Sequence, residues 1–298
     1  MQLIVKPRGV PIKTLPSEVT TSAEDNASHL YSKLSTLTGL SQHRLRITKG
    51  SDGSVISPDR DLTIGSTGLQ EESTIYVKDL GPQIAWRTVF IIEYLGPIII
   101  HPLLYLLLAG PTPTPLQTLS LTLIVVHFVK RELEGIFIHR FSLATMPIRN
   151  VFKNSAHYWL LAGLNIAYWI YIPTSPTAAP PDTKNPLITY AGLTLFLLSE
   201  FANLNSHLTL RNLRRPGSTD RGIPHGFGFG LVTCPNYMFE TLAWVGVAIV
   251  SRSWSVVVFT VVAVAQMGAW AWKKEKRYRK EFGDKYKRKR YAILPGLW

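Results

Sequence analysis

Residues 88–108 read TVFIIEYLGPIIIHPLLYLLL, a run with one acid, one histidine and no lysine or arginine. A helix that crosses a hydrocarbon core needs about 20 mainly apolar residues. This stretch therefore predicts a membrane-spanning helix, and Pro97 and Pro102 predict bends in it. Working outward, residues 117–138, 156–172, 187–206, 231–250 and 254–272 meet the same test. The third of the six is short, but Tyr158, Trp159, Tyr168, Trp169 and Tyr171 supply aromatic residues suited to both membrane interfaces. The expected fold class is a multi-pass α-helical membrane domain over residues 84–298, with about six transmembrane helices and a basic tail.

Charge separates this region from what precedes it. The 298 residues carry a net charge of +13. The nine Lys/Arg and nine Asp/Glu of residues 1–83 cancel, residues 84–272 sum to +5, and residues 273–298 sum to +8. A nucleic-acid-binding globule would place its basic patch on a soluble fold, so this distribution argues against a nucleic-acid partner. One cysteine, Cys234, excludes an internal disulfide framework and a Cys-rich zinc site. The opening MQLIVKPRGVPIKTL lacks the apolar core and small-residue cleavage site of a signal peptide, which places the head in the cytosol.

Within residues 1–79 the pattern predicts an α+β domain. Residues 1–6 and 10–15 read as short strands around a turn at Pro7–Gly9. Ala27–Leu37 reads as a helix, with Leu30, Leu34 and Leu37 at helical spacing and Gly39 just past its end. Arg44–Thr48 and Thr74–Lys78 alternate as strands. This order resembles ubiquitin, and MQLIVK is similar to ubiquitin's own start. Leu80–Gly81 runs on into the apolar region with no Gly–Gly tail, so a folded cap or docking module is expected rather than a conjugated modifier.

The loops orient the helices. With a cytosolic head, 109–116 is lumenal and uncharged, whereas 139–155 brings Arg140, Arg149 and Lys153 to the cytosol. Loop 173–186 is lumenal with one Lys cancelled by one Asp, and 207–230 returns Arg211, Arg214, Arg215 and Arg221 to the cytosol. The fifth connection holds only Arg252, and the basic tail is cytosolic, so both termini lie on the cytosolic side.

Ionisable groups in apolar helices are candidate functional groups. His127, Lys130, Arg131 and Glu134 share one helical face, where snorkelling and a Lys130–Glu134 pair are the plainer explanation. Glu93 and Glu200 each require a partner that the chain does not reveal. Asn203, His207, Arg211 and Arg214 step along a second polar face, followed by Arg221. Fixed cations with amide and imidazole donors suit a phosphate-rich ligand. The positive-inside loop accounts for Arg214 and Arg215 but not for Asn203 and His207. GFGFG at 226–230 lacks the strand–turn–helix setting of a dinucleotide fingerprint, and no P-loop, HExxH or GxSxG occurs.

Three stretches then carry a specific resemblance: HFVKRELEGIFIHRFS (127–142), NLNSHLTLRNLRRPG (203–217) and GIPHGFGFGLVTCPNYMFE (222–240). Together they are similar to the very-long-chain trans-2-enoyl-CoA reductases within the wider steroid 5-alpha-reductase family, and the chain is identified as a fungal-type member of that group. The resemblance implies NADPH-dependent reduction of the 2,3-double bond of a long-chain enoyl-CoA. That is the last step of each round of fatty-acid elongation, at the endoplasmic reticulum membrane beside other elongation enzymes. It implies Tyr237 as the proton donor, and Lys130 as a cation that either lowers the Tyr237 pKa or holds the enolate oxygen or a CoA phosphate. It further implies Asn203, His207, Arg211, Arg214, Arg221, Asn236, Glu240 and Tyr278 as the NADPH set, with His127, Arg131 and Glu134 toward the substrate. No metal is implied. His207 favours the acyl-CoA branch, and Trp270 and Lys274 depart from the residues expected of steroid enzymes.

Three other readings compete. The ending FGDKYKRKRYAILP (282–295) also resembles membrane isoprenylcysteine methyltransferases, which use S-adenosylmethionine; residues 127–142 and PNYMFE argue against them. A polyprenol or steroid reductase is the neighbouring activity within the same family. A scaffold that recruits partners through the head and grips anionic lipid through the tail needs no catalytic tyrosine.

Overall fold

Residues 1–141, 144–179, 186–213, 222–286 and 291–296 are described by the computed structural model. They fall into two units, Met1–Trp86 with Leu143–Asn150, and Arg87–Ser142 with Val151–Trp298.

In the first unit, strands β1 (Gln2–Pro7), β2 (Glu18–Thr20), β3 (Leu45–Lys49), β4 (Val55–Ile56) and β5 (Thr74–Asp79) form one sheet in the order β2-β1-β5-β3-β4. β1 and β5 run parallel and the other pairs antiparallel. Alternation puts Leu3, Val5, Ile47, Ile75 and Val77 into a core that helix α1 (Ala27–Thr38) covers with Leu30, Tyr31 and Leu34. The Asn26 side chain caps the helix by accepting from the His29 N–H, and Gly39 ends it at φ 70°, a left-handed conformation open to glycine. The buried Tyr31 hydroxyl donates to the Ile56 carbonyl at 2.8 Å and accepts from the Ile47 N–H at 3.0 Å, so its polar atom is satisfied inside the core.

The strand expected at 10–15 is not formed. β1 pairs instead with Glu18–Thr20, which sets Val19 opposite Leu3, and residues 8–17 make the connection. Pro11 lacks the N–H group that a ladder over 10–15 requires. A further short pair, β6 (Gln83–Ala85) with β7 (Thr145–Pro147), completes the unit.

The second unit is helical: α2 (Trp86–Leu108), α3 (Pro115–Leu133), α4 (Arg149–Ser155), α5 (Ile166–Tyr171), α6 (Pro186–Asn212), α7 (Pro235–Ser251) and α8 (Trp254–Phe282). Among the described residues, three helices are long and apolar enough to cross a membrane: Trp86–Leu108, Pro186–Asn212 and the stretch Trp254–Tyr286. The other three expected spans are helical but shorter or differently wound. α3 ends in a π-helical turn over Glu134–Ile138, residues 156–165 are π-helical before α5, and α7 has 17 residues. Pro97 and Pro102 lie inside α2, and Trp159 donates to the Ile92 carbonyl of that helix at 2.9 Å.

Tyr94, Phe128, Ile166, Phe196, Trp244, Val247 and Phe259 belong to the core of this unit. α6 and α7 bring their backbones together where Gly192 faces Gly246. A Cβ on Gly246 would lie 2.7 Å from the Gly192 carbonyl oxygen and 2.8 Å from the Phe196 nitrogen. Small residues here let the two backbones touch, as in close-packed membrane helices. His101, buried in the same region, bridges the Tyr171 hydroxyl and the Ala162 carbonyl at 2.9 Å each, a satisfied core histidine.

Candidate active site where α3, α6 and α7 meet

Capping by Thr114 and Gln117 starts α3, and its regular winding carries His127, Lys130 and Arg131 to one side. The π-helical turn begins at Glu134, whose carbonyl accepts from the His139 N–H at 2.8 Å. π-Helical turns of this kind recur at functional sites because they re-aim side chains within a helix. Glu200, Asn203 and His207 occupy one face of α6, and Asn236 and Glu240 occupy the first turns of α7.

These side chains form one buried network. Lys130 Nζ contacts Glu200 at 2.8 Å and Glu134 at 3.0 Å, and donates to Asn203 Oδ1 at 2.6 Å. Arg131 Nη1 pairs with Glu134 at 2.6 Å, and its Nη2 donates to the Tyr94 hydroxyl at 3.1 Å. His207 Nδ1 meets Glu134 at 3.0 Å. The two nitrogens of His127 contact Glu200 at 2.5 Å and Glu240 at 3.2 Å. Asn203 Nδ2 donates to the Asn236 carbonyl at 2.8 Å and to Glu240 at 3.1 Å, joining α6 to α7. Charges taken out of water persist only when paired and hydrogen-bonded, and each carboxylate here meets at least one cation or imidazole.

Tyr237 lies one residue beyond Asn236 but turns to another helix. It is half-buried and lines a cleft of about 210 Å³ with Trp270, Lys273, Lys274 and Arg277 of α8. The turn that leads into it is firmly held. Thr233 and Cys234 donate their N–H groups to the Tyr291 and Ala292 carbonyls at 2.8 and 3.1 Å. Buried Glu275 accepts from the Thr233 hydroxyl, from Tyr286 at 2.9 Å and from Arg279 at 2.7 Å. Phe227 of the GFGFG loop stacks on Phe239 with ring centroids 5.4 Å apart.

Residues 144–298 match the family described as 3-oxo-5-alpha-steroid 4-dehydrogenase. A very-long-chain enoyl-CoA reductase of Dictyostelium discoideum is 40% identical over 93% of this chain and 93% of its own. The chain belongs to this reductase family. A Schizosaccharomyces pombe protein that bears a provisional enoyl-reductase name is 42% identical over 99% of each chain. A trans-2,3-enoyl-CoA reductase-like protein of Mus musculus is 31% identical over 78% of this chain and 67% of its own. These names are those of oxidoreductases.

The other positions singled out from the sequence of this reductase-family chain divide four ways. His127, Lys130, Arg131, Glu134, Asn203, His207, Asn236 and Glu240 lie in or against the one network. The Arg211 carbonyl accepts from Arg140, beyond the π-helical turn, at 3.2 Å. Tyr278 is buried on α8 between the rings of Phe282 and Tyr286 and under the Lys274 ammonium. Arg214 and Arg221 lie outside the described residues.

Lys130 meets Glu134, Glu200 and Asn203, whereas the cations that share the cleft of Tyr237 are Lys273, Lys274 and Arg277. Glu200 needed a partner, and the structure supplies His127 and Lys130. Glu93 is buried too, with one carboxylate oxygen that has no hydrogen-bond partner among the described residues. Sequence reasoning missed Tyr94 and His139. Tyr94 takes the Arg131 guanidinium, and the His139 ring packs edge-on against His207 with centroids 4.7 Å apart. Neither stands at a spacing that would have marked it. Glu134, His139 and His207 have the proximity of a metal group, but Lys130 and Arg131 already neutralise Glu134 and would oppose a divalent cation.

Proposed function

We propose that this protein reduces the trans-2 double bond of very-long-chain enoyl-CoA with NADPH, the final step of the fatty-acid elongation cycle. The observation that supports it most directly is 40% identity to a named very-long-chain enoyl-CoA reductase along 93% of the chain. One polar atom tests the fit of a nicotinamide cofactor. Asn236 Oδ1 is buried with no hydrogen-bond partner among the described residues. An open acceptor on the residue whose carbonyl Asn203 holds suits the amide of a carboxamide-bearing ligand. Asn203, His207, Asn236 and Glu240 would hold the cofactor, with Arg211, Arg214, Arg221 and Tyr278 toward its phosphates and adenine end. When bound, NADPH supplies the hydride for the β-carbon.

The chain's own residues do the remaining work. Tyr237, which lines the cleft beside α8, gives its phenolic proton to the α-carbon. Lys130 acts from within the network as a positioning residue, because its ammonium holds Asn203 and Glu134 together. His127, Arg131 and Glu134 form the wall toward the acyl thioester.

In this reading the protein crosses the endoplasmic reticulum membrane six times with both termini in the cytosol. Residues 1–79 are a ubiquitin-like head, whose sheet order β2-β1-β5-β3-β4 with a single covering helix supports that reading. The acyl chain lies in membrane lipid, and other elongation enzymes are the natural partners. Purified protein with NADPH is assayed against a long-chain enoyl-CoA, an enone steroid and a polyprenal, following loss of NADPH absorbance. Turnover of the enoyl-CoA is expected, and none with that substrate would overturn the proposal.

A further inference from the structure

We propose that the cationic row on α8, Lys273, Lys274 and Arg277, receives the phosphates of the thioester substrate's nucleotide head, with its flexible arm running past Trp270 to Tyr237. This rests on the enoyl-CoA reading above. All four α8 residues line one cleft with Tyr237, so a ligand in that cleft meets both the cations and the tyrosine. Between Trp270 and Arg277 the helix rises about 10 Å, which carries the outer cations away from the phenol toward the helix's polar end. That direction suits a substrate whose reactive and anionic ends are well separated.

The cations are available. Among the described residues none of the three pairs with a carboxylate, and Lys274 only rests over the Tyr278 ring at 5.5 Å. The nearest acid in sequence, Glu275, is buried and taken by Thr233, Tyr286 and Arg279. Three like charges on adjacent turns repel one another, and an anion bound among them relieves that repulsion. Trp270 is about half exposed and its ring centroid lies 6.4 Å from that of Tyr237, an apolar plate between the cations and the phenol. A steroid or polyprenal has no anionic head for this row to hold, so the row would favour a thioester of CoA.

NADPH also carries nucleotide phosphates, and the test separates the two. Equilibrium binding of free coenzyme A and of NADPH is measured on the full-length protein and on the triple variant Lys273→Gln/Lys274→Gln/Arg277→Gln. Coenzyme A is expected to bind about tenfold or more weakly to the variant, while NADPH affinity stays within about twofold. The KM for an enoyl-CoA should rise in step, whereas that for the matching pantetheine thioester, which lacks the nucleotide, should not. Wild-type protein that fails to bind coenzyme A would overturn the proposal, as would selective loss of NADPH binding or equal loss of both ligands. No change in either ligand would assign the row to solvent. If the triple variant does not fold, Lys273→Gln alone, at an exposed position, carries the same comparison. Coenzyme A binding without enoyl-CoA turnover would instead count against the proposed activity and leave the binding site standing.

Discussion

Tyr237 and Lys130 stand at opposite ends of what a single side chain can do here. Tyr237 lines a cleft and packs its ring against the cluster of Cys234 and Met267, a packing that phenylalanine keeps, so Tyr237→Phe is expected to abolish enoyl-CoA reduction while folding and NADPH binding persist. Turnover near the wild-type rate would remove the phenol from the mechanism. Lys130 is tied to three partners, and Lys130→Ala leaves Glu134 and Glu200 short of a counter-charge. Breaking a buried pair of this kind costs about 3–5 kcal/mol. Its thermal unfolding midpoint in detergent should fall along with activity, and Lys130→Arg should recover only part of each, because a planar fork replaces a compact ammonium. The helical spacing of His127, Lys130, Arg131 and Glu134 was legible beforehand. Their partners on α6 were not, since Lys130 and Asn203 lie 73 residues apart.

At the scale of elements, the contact between α6 and α7 depends on glycine. A methyl group on Gly246 meets the backbone of Gly192 and Phe196, atoms that cannot rotate away. Gly246→Ala should therefore separate the helices and destabilise the second unit by about 1–3 kcal/mol, read as a lowered unfolding temperature. In the first unit, Arg44 ties the edge of β3 to the end of β5 through Asp79, in an ion pair at 2.5 Å. The Arg44 guanidinium holds the Asp79 carboxyl below its ordinary range. A carboxyl depressed by folding contributes stability above its unfolded pKa, and that contribution fades as pH falls through the folded value. Hydrogen exchange at β3 and β5 amides, corrected for intrinsic rates, should thus accelerate on acidification below the ordinary Asp range. Arg44→Ala should flatten that response. Most element positions followed from local pattern; the misplaced second strand did not, because alternation alone does not reveal which residues a neighbouring strand will pair.

For the whole molecule, the proposed topology makes a direct prediction. A glycosylation acceptor inserted in 173–186 should be modified, and tags at either terminus should remain protease-accessible from the cytosolic side of intact microsomes. An unmodified acceptor, with the loop accessible from the cytosol, would reverse that arrangement. Apolar run length, loop charge and the alternating pattern of the head are properties of short stretches, so the sequence by itself determined the helical apolar character of the second unit and the sheet-and-helix make-up of the first. The family resemblance was legible in the same way, in three short stretches of side chains. Only the tertiary structure decided which charges meet. Helix packing joins His127 and Lys130 to Glu200 and closes Asn203 onto Glu240. It also gives Tyr237 a cleft shared with cations of α8, while Lys130 is held among Glu134, Glu200 and Asn203. The physical reason is that an ion pair forms wherever packed helices bring opposite charges within a few ångströms, and separation along the chain carries no information about that distance.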